Sequence, residues 1–192
     1  KVLLKYNNKK LATLKISSIF NFNIDKIIKL FFGTKDKTHP GVIEMEKWPN
    51  QFITGKLERE GDLHDILKIN ALRPLEVKKT IKKKKWNTIV GFHTRNPPHR
   101  AHEFLHKTTL EMVDGILIHP VIGSKKSGDF SKDAIIKGYK EYIKKYLPEE
   151  NVIFTPLLTY SRYGGPKEAI FTAIIRRNYG CTHFIVGRDH TG

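Results

Sequence analysis

The 192-residue chain is poor in cysteine and in long apolar runs. Its one cysteine, Cys181, cannot form an internal disulfide, which fits a reducing compartment and predicts a cytoplasmic protein. Cys181 precedes an apolar segment and is predicted to be a buried, unreactive thiol. No apolar run approaches the roughly 20 residues of a membrane-spanning helix, so we expect no membrane partner.

The two ends of the chain also lack features of a complete protein. The chain starts at Lys1 without a methionine and stops at Gly192, directly after the segment GRDHT. We therefore interpret it as a piece of a longer protein that lacks the C-terminal part and the start. Whether a targeting segment lies outside it is left open.

Acidic residues are scarce: 19 Asp and Glu stand against 35 Lys and Arg, which gives a formal net charge of +16. Such a charge is typical of nucleic-acid binders and of enzymes for anionic substrates, but lysines dispersed over solvated faces also produce it. The densest block, Lys78 to Lys85, has no interleaved aromatic residues that could stack on bases. We interpret this block as a polar helix end or a solvated loop, and nucleic acid is not an expected partner.

Residues 1–75 predict a partial, β-rich domain. A short amphipathic helix, NIDKIIKLFFG, is expected to stop at Gly33, and Pro74 is expected to start another that ends near Trp86. Several runs in this part are strand-like because they alternate apolar and polar residues: KVLLKY, LATLKISSIF, GVIEM and QFITGKLER.

Residues 76–192 predict an α/β domain. Four compact apolar runs alternate with three amphipathic helices: TIVGF, GILIHP, NVIFTP and THFIVG. This order predicts a parallel sheet that helices cover on both faces. In the first of the three helices, one stripe is formed by Ala101, Leu105, Thr108 and Met112.

The segments that follow the four strands carry the distinctive side chains of this domain. They hold five of the nine histidines and five cations: His93, His99, His102, His119, His190, Arg95, Lys125, Lys126, Arg162 and Arg188. Right-handed crossovers bring the C-terminal ends of parallel strands to one edge, where open α/β sheets bind ligands. The turns at the opposite edge carry no such cluster, so the sequence predicts an anion site at this edge.

The segment FHTRNPPHRAHE suggests how that site is built. Asn96 is predicted to cap a helix that starts at Pro97, whose N-terminus favours an anion. His99 and His102 are three residues apart and would share a face of this helix, and Arg95 offers a bidentate fork. Half of a zinc site and a purely structural histidine pair are the alternatives. No cysteine or carboxylate cluster completes a zinc site, so no protein-bound metal is predicted.

These stretches resemble one family. The segments FHTRNPPHRAHE, DGILIHPVIG, SRYGGPKEAIFTAIIRRNYGCTHFIVGRDHTG and the early HPGV are similar to sulfate adenylyltransferases, also called ATP sulfurylases, from about Thr38 to Gly192. The resemblance implies a PUA-like β-domain followed by a Rossmann-like nucleotidyltransferase domain. It also implies the conversion of ATP and sulfate into adenylyl sulfate and diphosphate, with Mg²⁺ accompanying ATP.

The resemblance implies roles for individual residues. Sulfate would be bound by His93, Arg95 and the backbone amide of Thr191. The catalytic set would comprise Thr94, Arg95, Asn96, His99 and His102. ATP would be bound by His93, Thr94, Arg95, Asn96, Gly187, Arg188, Asp189 and His190. The family has glutamine at the position of His93, so we expect sulfate affinity to rise below about pH 6.5, where free histidine gains a proton.

For this reaction we expect a sulfate oxygen to attack the α-phosphorus in line, with diphosphate leaving. Sulfate needs no deprotonation at pH 7, so positioning and charge stabilisation suffice without a general base. This agrees with loops that hold arginine and histidine but no paired carboxylates and no serine or cysteine nucleophile.

Three other readings stay open at this point. The chain could belong to another nucleotidyltransferase with an HxxH motif and a larger acceptor, although the short loop around Arg95 favours a small oxyanion. It could also be a basic RNA-binding module, since PUA-like domains can bind RNA, or a domain that keeps the fold without turnover. The direction of flux and the formation of a homo-oligomer are not decided by these residues.

Overall fold

The computed structural model of the chain describes residues 1–124, 128–188 and 190. The chain divides into two compact units. The first consists of Lys1–Ile69 with Arg162–Gly164, and the second of Asn70–Ser161 with Gly165–Gly192. The division into folding domains at residues 75 and 76 stays a prediction.

The first unit contains a three-stranded antiparallel sheet in the order β1-β2-β3, as its alternating runs predicted. Its elements are β1 (Val2–Tyr6), β2 (Lys9–Asn21), α1 (Ile24–Phe32), α2 (Pro40–Glu46), β3 (Gln51–Arg59) and α3 (Leu63–Ile66). Helix α1 ends as predicted at Gly33, whose φ of 73° is a left-handed conformation that glycine adopts without strain.

The segment GVIEM, predicted as a strand, instead lies within helix α2. Pro40 occupies the first turn, where its fixed φ suits a helix and its missing N–H costs nothing. His39 caps the same end, because its Nδ1 accepts hydrogen bonds from the N–H groups of Gly41 at 3.2 Å and Val42 at 3.3 Å. Local capping therefore overrides the alternating pattern of this short segment.

The second unit is the predicted α/β fold, with a four-stranded parallel sheet in the order β6-β5-β4-β7. Its elements are α4 (Pro74–Lys83), β4 (Ile89–Thr94), α5 (Arg100–Leu110), β5 (Gly115–Pro120), α6 (Lys132–Tyr146), β6 (Val152–Phe154), α7 (Pro166–Asn178) and β7 (His183–Phe184). All four predicted strands and the three helices between them are present. Within the described ranges, no helix is long and apolar enough to cross a membrane.

Strand β4 supplies side chains to both faces of this sheet. On one face, Val90 and Phe92 pack in a core with Tyr139 of α6. On the other face, Ile89 packs in a second core with Cys181. Cys181 is buried, as predicted, and burial raises the pKa of its thiol to about 12, which keeps it protonated and unreactive.

The chain reverses direction within the sheet, and this reversal defines the ligand edge. Strands β4, β5 and β6 follow one another outward, and α7 then carries the chain back to β7 on the far side of β4. With right-handed crossovers, α5 and α6 cover one face and α7 covers the other. The C-terminal ends of β4 and β7 therefore flank the topological switch point, where open α/β sheets form their ligand crevice.

Helix α5 turns a polar face to the sheet. Its buried residues are His102 and His106, whereas Leu105 is 37% exposed and Met112, just beyond the helix, is 79% exposed. The stripe that contains Ala101, Leu105, Thr108 and Met112 thus faces away from the core. Histidine rings replace it because they pack edge-on against Phe92, at centroid distances of 5.0 Å for His102 and 4.3 Å for His106.

Helix α7 has the same inverted arrangement. Its buried residues are Glu168, Thr172 and Arg176, which are spaced four apart and so share one face. Its apolar residues Ile170 and Ile174 are 63% and 48% exposed. Buried polar groups must find hydrogen-bond partners, so a helix that buries this set serves a polar site rather than a core alone.

Candidate active site

Strand β4 ends in a tight turn that presents Arg95 at the switch point. The buried hydroxyl of Thr94 accepts a hydrogen bond from the backbone N–H of Asn96 at 3.1 Å. This bond fixes the turn, so that Arg95 leaves it half-buried while Asn96 is exposed. The Arg95 guanidinium lies 3.9 Å from the carboxylate of Asp129, measured between Nη1 and Oδ1.

Helix α5 begins three residues later than predicted. Asn96 is not its N-cap and Pro97 is not its first residue: the helix starts at Arg100, and His99 is the N-cap with an extended backbone. The cause is the second proline, because a residue that precedes proline is driven out of the helical region. Pro97 precedes Pro98 and cannot open a helix, so His99 lies at the helix end rather than on its side.

Three histidines nevertheless form one column on α5. The rings of His99 and His102 are stacked with centroids 3.7 Å apart, and the His106 ring follows at 6.1 Å from His102. Each buried member is paired with a tyrosine of α6: His102 Nδ1 lies 3.1 Å from the Tyr139 hydroxyl, and His106 Nδ1 lies 3.0 Å from the Tyr142 hydroxyl. His106 was not predicted, although its spacing of four from His102 placed it on the same face.

Burial keeps two members of this column uncharged near neutral pH. Desolvation, followed by the nearby His99, lowers the pKa of His102 to about 4, while the Pro97 carbonyl acts in the opposite direction. Desolvation also lowers the pKa of His106 to about 3, with the two other histidines adding to the effect. These imidazoles are therefore neutral hydrogen-bonding groups.

A second polar cluster lies on the other face of the sheet. His93 of β4 pairs in register with His119 of β5. Arg176 of α7 is fully buried beside them, and its Nη2 donates a hydrogen bond to the His119 carbonyl oxygen at 3.0 Å. Its aliphatic stem lies over Gly91, where an added Cβ would stand 2.6 Å from Arg176 Cγ. The missing side chain of Gly91 makes room for this arginine.

Several polar atoms of this cluster are buried without a hydrogen-bond partner among the described residues. They include both ring nitrogens of His93 and of His119, together with Nε of Arg176. Burial, followed by the Arg176 charge, holds the pKa of both histidines well below the usual value of 6.5. The expectation that His93 gains a proton at about pH 6.5 is therefore wrong.

The segment after β7 meets the end of β4 at this cluster. The ring centroids of His190 and His93 are 5.2 Å apart, and His190 Nε2 lies 2.9 Å from the Thr172 hydroxyl. Gly187 and Arg188 follow β7 and are exposed. The other predicted residues of this region, Asp189 and Thr191, lie outside the described residues.

Three other basic residues predicted at this edge are not among the described residues of the second unit. Arg162 belongs to the first unit, and Lys125 and Lys126 lie outside the described residues. Within the described part of the chain, no group of three or more His, Cys, Asp or Glu residues could hold a metal ion. What the second unit offers a ligand is a guanidinium, neutral imidazoles and a helix N-terminus, a donor set suited to oxyanions.

Three comparisons relate this chain to known proteins. Residues 70–192 match the family model for ATP-sulfurylase, and residues 1–60 match the model for a PUA-like domain. Together with the parallel sheet, these matches confirm the predicted order of a PUA-like part followed by a Rossmann-like part.

Curated relatives are sulfate adenylyltransferases. The protein of Staphylothermus marinus is 38% identical over 191 residues, which cover 100% of this chain and 50% of that relative. The protein of Cenarchaeum symbiosum is 41% identical over 185 residues, which cover 95% of this chain and 48% of that relative. The chain thus spans about half the length of the curated relatives it matches.

A solved structure shares the fold. The hexameric APS kinase from Thiobacillus denitrificans matches with a TM-score of 0.59 over 94% of this chain and 32% of that chain, at 20% sequence identity. At this identity the likeness bears on the fold alone. The family match to residues 70–192 covers more than half of the sequence and confirms the resemblance of its motifs: the chain belongs to the ATP-sulfurylase family.

Proposed function

We propose that the protein is a sulfate adenylyltransferase, which converts ATP and sulfate into adenylyl sulfate and diphosphate. Beside the family membership, one observation carries the proposal: the turn after β4 and the segment after β7 meet at the switch point, with the His93 and His190 rings 5.2 Å apart. A nucleotide held by one segment then lies within reach of an anion held by the other.

Sulfate is assigned to the turn after β4. The Arg95 guanidinium supplies two parallel donors for an oxyanion, and His93 supplies a neutral imidazole N–H at the end of the strand. The backbone amide of Thr191 completes the proposed set. Asp129 beside Arg95 orients the guanidinium in the ligand-free chain, and the sulfate dianion would share that charge.

ATP is assigned to both segments, with Mg²⁺ entering as part of the nucleotide substrate. The proposed contacts come from His93, Thr94, Arg95, Asn96, Gly187, Arg188, Asp189 and His190. His99 and His102, at the N-terminal end of α5, are assigned to the phosphates. A helix N-terminus carries partial positive charge, and the neutral imidazole of His102 can donate to a phosphate oxygen there without gaining a proton from solution.

The chemistry proposed for this site consists of offsetting the repulsion between sulfate and the phosphates of ATP. At about 4 Å and an effective dielectric constant of about 20, two like unit charges repel by roughly 4 kcal/mol. Arg95 and the α5 N-terminus offset that repulsion while a sulfate oxygen attacks the α-phosphorus in line. The new bond joins this oxygen to phosphorus, the bond to the bridging oxygen breaks, and diphosphate leaves with its electron pair.

The test uses the complete product of the gene. Diphosphate release from MgATP is measured with and without sulfate, and adenylyl sulfate is identified by mass spectrometry. We expect release that depends on sulfate. Release that does not need sulfate would favour an HxxH nucleotidyltransferase with another acceptor. Salt-dependent RNA binding without nucleotide turnover would favour the basic binding module.

His102→Ala links this activity to the proposed residues. The contact of His102 with phosphate is expected to strengthen in the transition state, so kcat falls by about 100-fold while KM for MgATP changes by less than about threefold. His106→Gln is the matched control, since it changes the neighbouring imidazole one turn further from the helix end. Equal losses in both variants would contradict the role of His102.

Cellular location and assembly remain predictions of the same proposal. The single buried cysteine predicts a cytoplasmic protein, which fractionation of the source cells measures. Formation of a homo-oligomer is measured by light scattering on the complete product of the gene.

A further inference from the structure

Tyr139 occupies a junction between two parts of the site. Its side chain is fully buried, and its hydroxyl lies 3.1 Å from His102 Nδ1. The Thr94 side chain, whose oxygen accepts from the N–H of Asn96, lies near this phenol and opposes the rise of its pKa. A tyrosine on α6 therefore lies near both the turn after β4 and the helix that carries the HxxH motif.

The direction of these hydrogen bonds follows from what each group can donate. Desolvation raises the pKa of Tyr139 well above its usual value of 10, so the phenol keeps its proton. The Thr94 hydroxyl has an acceptor in the Asn96 carbonyl oxygen at 3.3 Å. The phenol proton therefore goes to His102 Nδ1, which lies 3.1 Å from the phenol oxygen and accepts when the imidazole carries its proton on Nε2.

We propose that Tyr139 is a positioning residue of the adenylyl-transfer site, which fixes the ring of His102 in the tautomer that carries its proton on Nε2. This inference rests on the proposed function. A neutral imidazole whose Nδ1 accepts from a phenol holds its N–H on Nε2, so Nε2 becomes the donor for an oxyanion. The Pro97 carbonyl, which opposes the lowering of the His102 pKa, is then an alternative acceptor for the proton on Nε2. A phosphate oxygen, being charged, is the stronger acceptor of the two.

The chain offers a matched control for this role. Tyr142, less than one turn along α6, is also buried and makes the equivalent bond to His106 at 3.0 Å. Tyr139→Phe and Tyr142→Phe each remove one hydroxyl and keep the ring that fills the core. Only the first of these changes removes the hydroxyl that lies 3.1 Å from His102 Nδ1.

The experiment compares both variants with wild type in the complete product of the gene. For Tyr139→Phe we expect kcat to fall about tenfold, as for one hydrogen bond lost in the transition state, with KM for MgATP and sulfate changed less than about threefold. For Tyr142→Phe we expect kcat within about threefold of wild type. Melting temperatures of both variants are recorded to show that they fold.

A measurement without turnover separates this inference from the proposed function. Nuclear magnetic resonance of ¹⁵N-histidine-labelled protein reports which ring nitrogen of His102 is protonated, with His102→Ala supplying the assignment. We expect an Nε2–H tautomer in wild type and in Tyr142→Phe, and a mixture of tautomers in Tyr139→Phe. If the protein shows this tautomer pattern but no sulfate-dependent activity, the proposed function is contradicted and the hydrogen bond between Tyr139 and His102 is still supported.

Other results would overturn the role of Tyr139. An Nδ1–H tautomer in wild type contradicts the assigned direction of the bonds. An unchanged kcat in Tyr139→Phe shows that the hydroxyl does not position the reacting group. Equal kcat losses in both variants, with equal losses of melting temperature, reduce Tyr139 to a packing residue of α6.

Discussion

At the scale of single residues, the histidines of this site are neutral donors rather than charges. His102, His106, His93 and His119 all have pKa values below 6.5, and desolvation is the largest cause in each case. Positive charge at the switch point therefore comes from Arg95, from the buried Arg176 and from the α5 N-terminus. We therefore expect these four histidines to contribute no pH dependence to anion binding over the range in which free histidine titrates.

The affinity for sulfate tests this view of His93. Since burial, Arg176 and His190 all lower the pKa of His93, its ring stays neutral well below pH 6.5, and sulfate keeps two charges over the same range. We expect the dissociation constant of sulfate, measured by calorimetry, to change by less than about twofold between pH 8 and pH 6. A sulfate complex that is tenfold tighter at pH 6 than at pH 8 would contradict a neutral His93 and support the protonated ring that the sequence predicted. In that case His93→Gln would abolish the rise in sulfate affinity.

The stability of the fold depends on the same neutral rings. His106 has a pKa of about 3 in the folded chain against 6.5 unfolded, so below pH 6.5 the unfolded state binds the extra proton. Folding stability should therefore be complete above pH 6.5 and fall as the pH drops toward 3, by about 2 kcal/mol at pH 5 from this group. Urea unfolding at pH 7, 6 and 5 measures the effect. His106→Gln should reduce the loss of stability between pH 7 and pH 5 by about this amount, while the other buried histidines keep their own contributions, and an unchanged slope would contradict the assignment.

At the scale of elements, periodicity predicted where helices lie but not which face they bury. The three helices between the parallel strands were found because apolar residues recur at helical spacing. The stripe through Leu105 and Met112 nevertheless points to solvent, because rings of His102 and His106 satisfy their nitrogens on tyrosines of α6. A pattern based on hydropathy counts histidine as polar, so it wrongly assigns the buried face of α5 to the solvent.

The candidate site was predictable to a similar extent. The order of strands and helices predicted that polar side chains gather at one edge, since parallel strands end together, and Arg95, His102 and His190 all lie in the second unit. The burial of Arg176 was not predicted, because the residues near it in the sequence do not indicate a buried cation. Its place over Gly91 depends on the crossover of α7, which is a property of the assembled sheet.

The contact between α7 and β4 yields a prediction at this scale. In Gly91→Ala, the new methyl group would stand 2.6 Å from Arg176 Cγ and 3.2 Å from Cys181 Sγ, so α7 must shift. We expect a loss of about 1–3 kcal/mol in the free energy of unfolding, measured in urea. Gly187→Ala is the control, since an added Cβ there meets nothing within 4 Å. Equal free energies of unfolding in the two variants would show that the Arg176 side chain can move away from the new methyl group without loss of stability.

At the scale of the whole molecule, the net charge of +16 is not the feature that selects an anion. The lysine-rich end of α4 precedes β4, so it lies at the N-terminal edge of the sheet, and the ligand edge lies beyond the other end of that strand. Six strand residues at about 3.3 Å each separate the two edges by roughly 20 Å. This exceeds the Debye length of about 8 Å at physiological salt, so these exposed charges are screened from the site.

Removing those charges tests the point. Lys79, Lys82 and Lys83 are exposed, and their triple replacement by glutamine should leave KM for MgATP and for sulfate within about twofold at 0.15 M salt. Arg95→Gln, a single charge at the switch point, should raise KM for sulfate by at least tenfold. A comparable rise in the triple variant would mean that the basic surface as a whole recruits the substrates.

The alternation of side chains along β4 has one more consequence. Phe92 points to the histidine column and His93 to His190 and the buried Arg176, so two chemically different compartments are separated by a single peptide unit. Inserting or deleting one residue in this strand would exchange their contents while leaving hydropathy almost unaltered. We therefore expect no natural length variation in β4. The order of residues along the strand imposes this constraint, and its amino-acid composition does not.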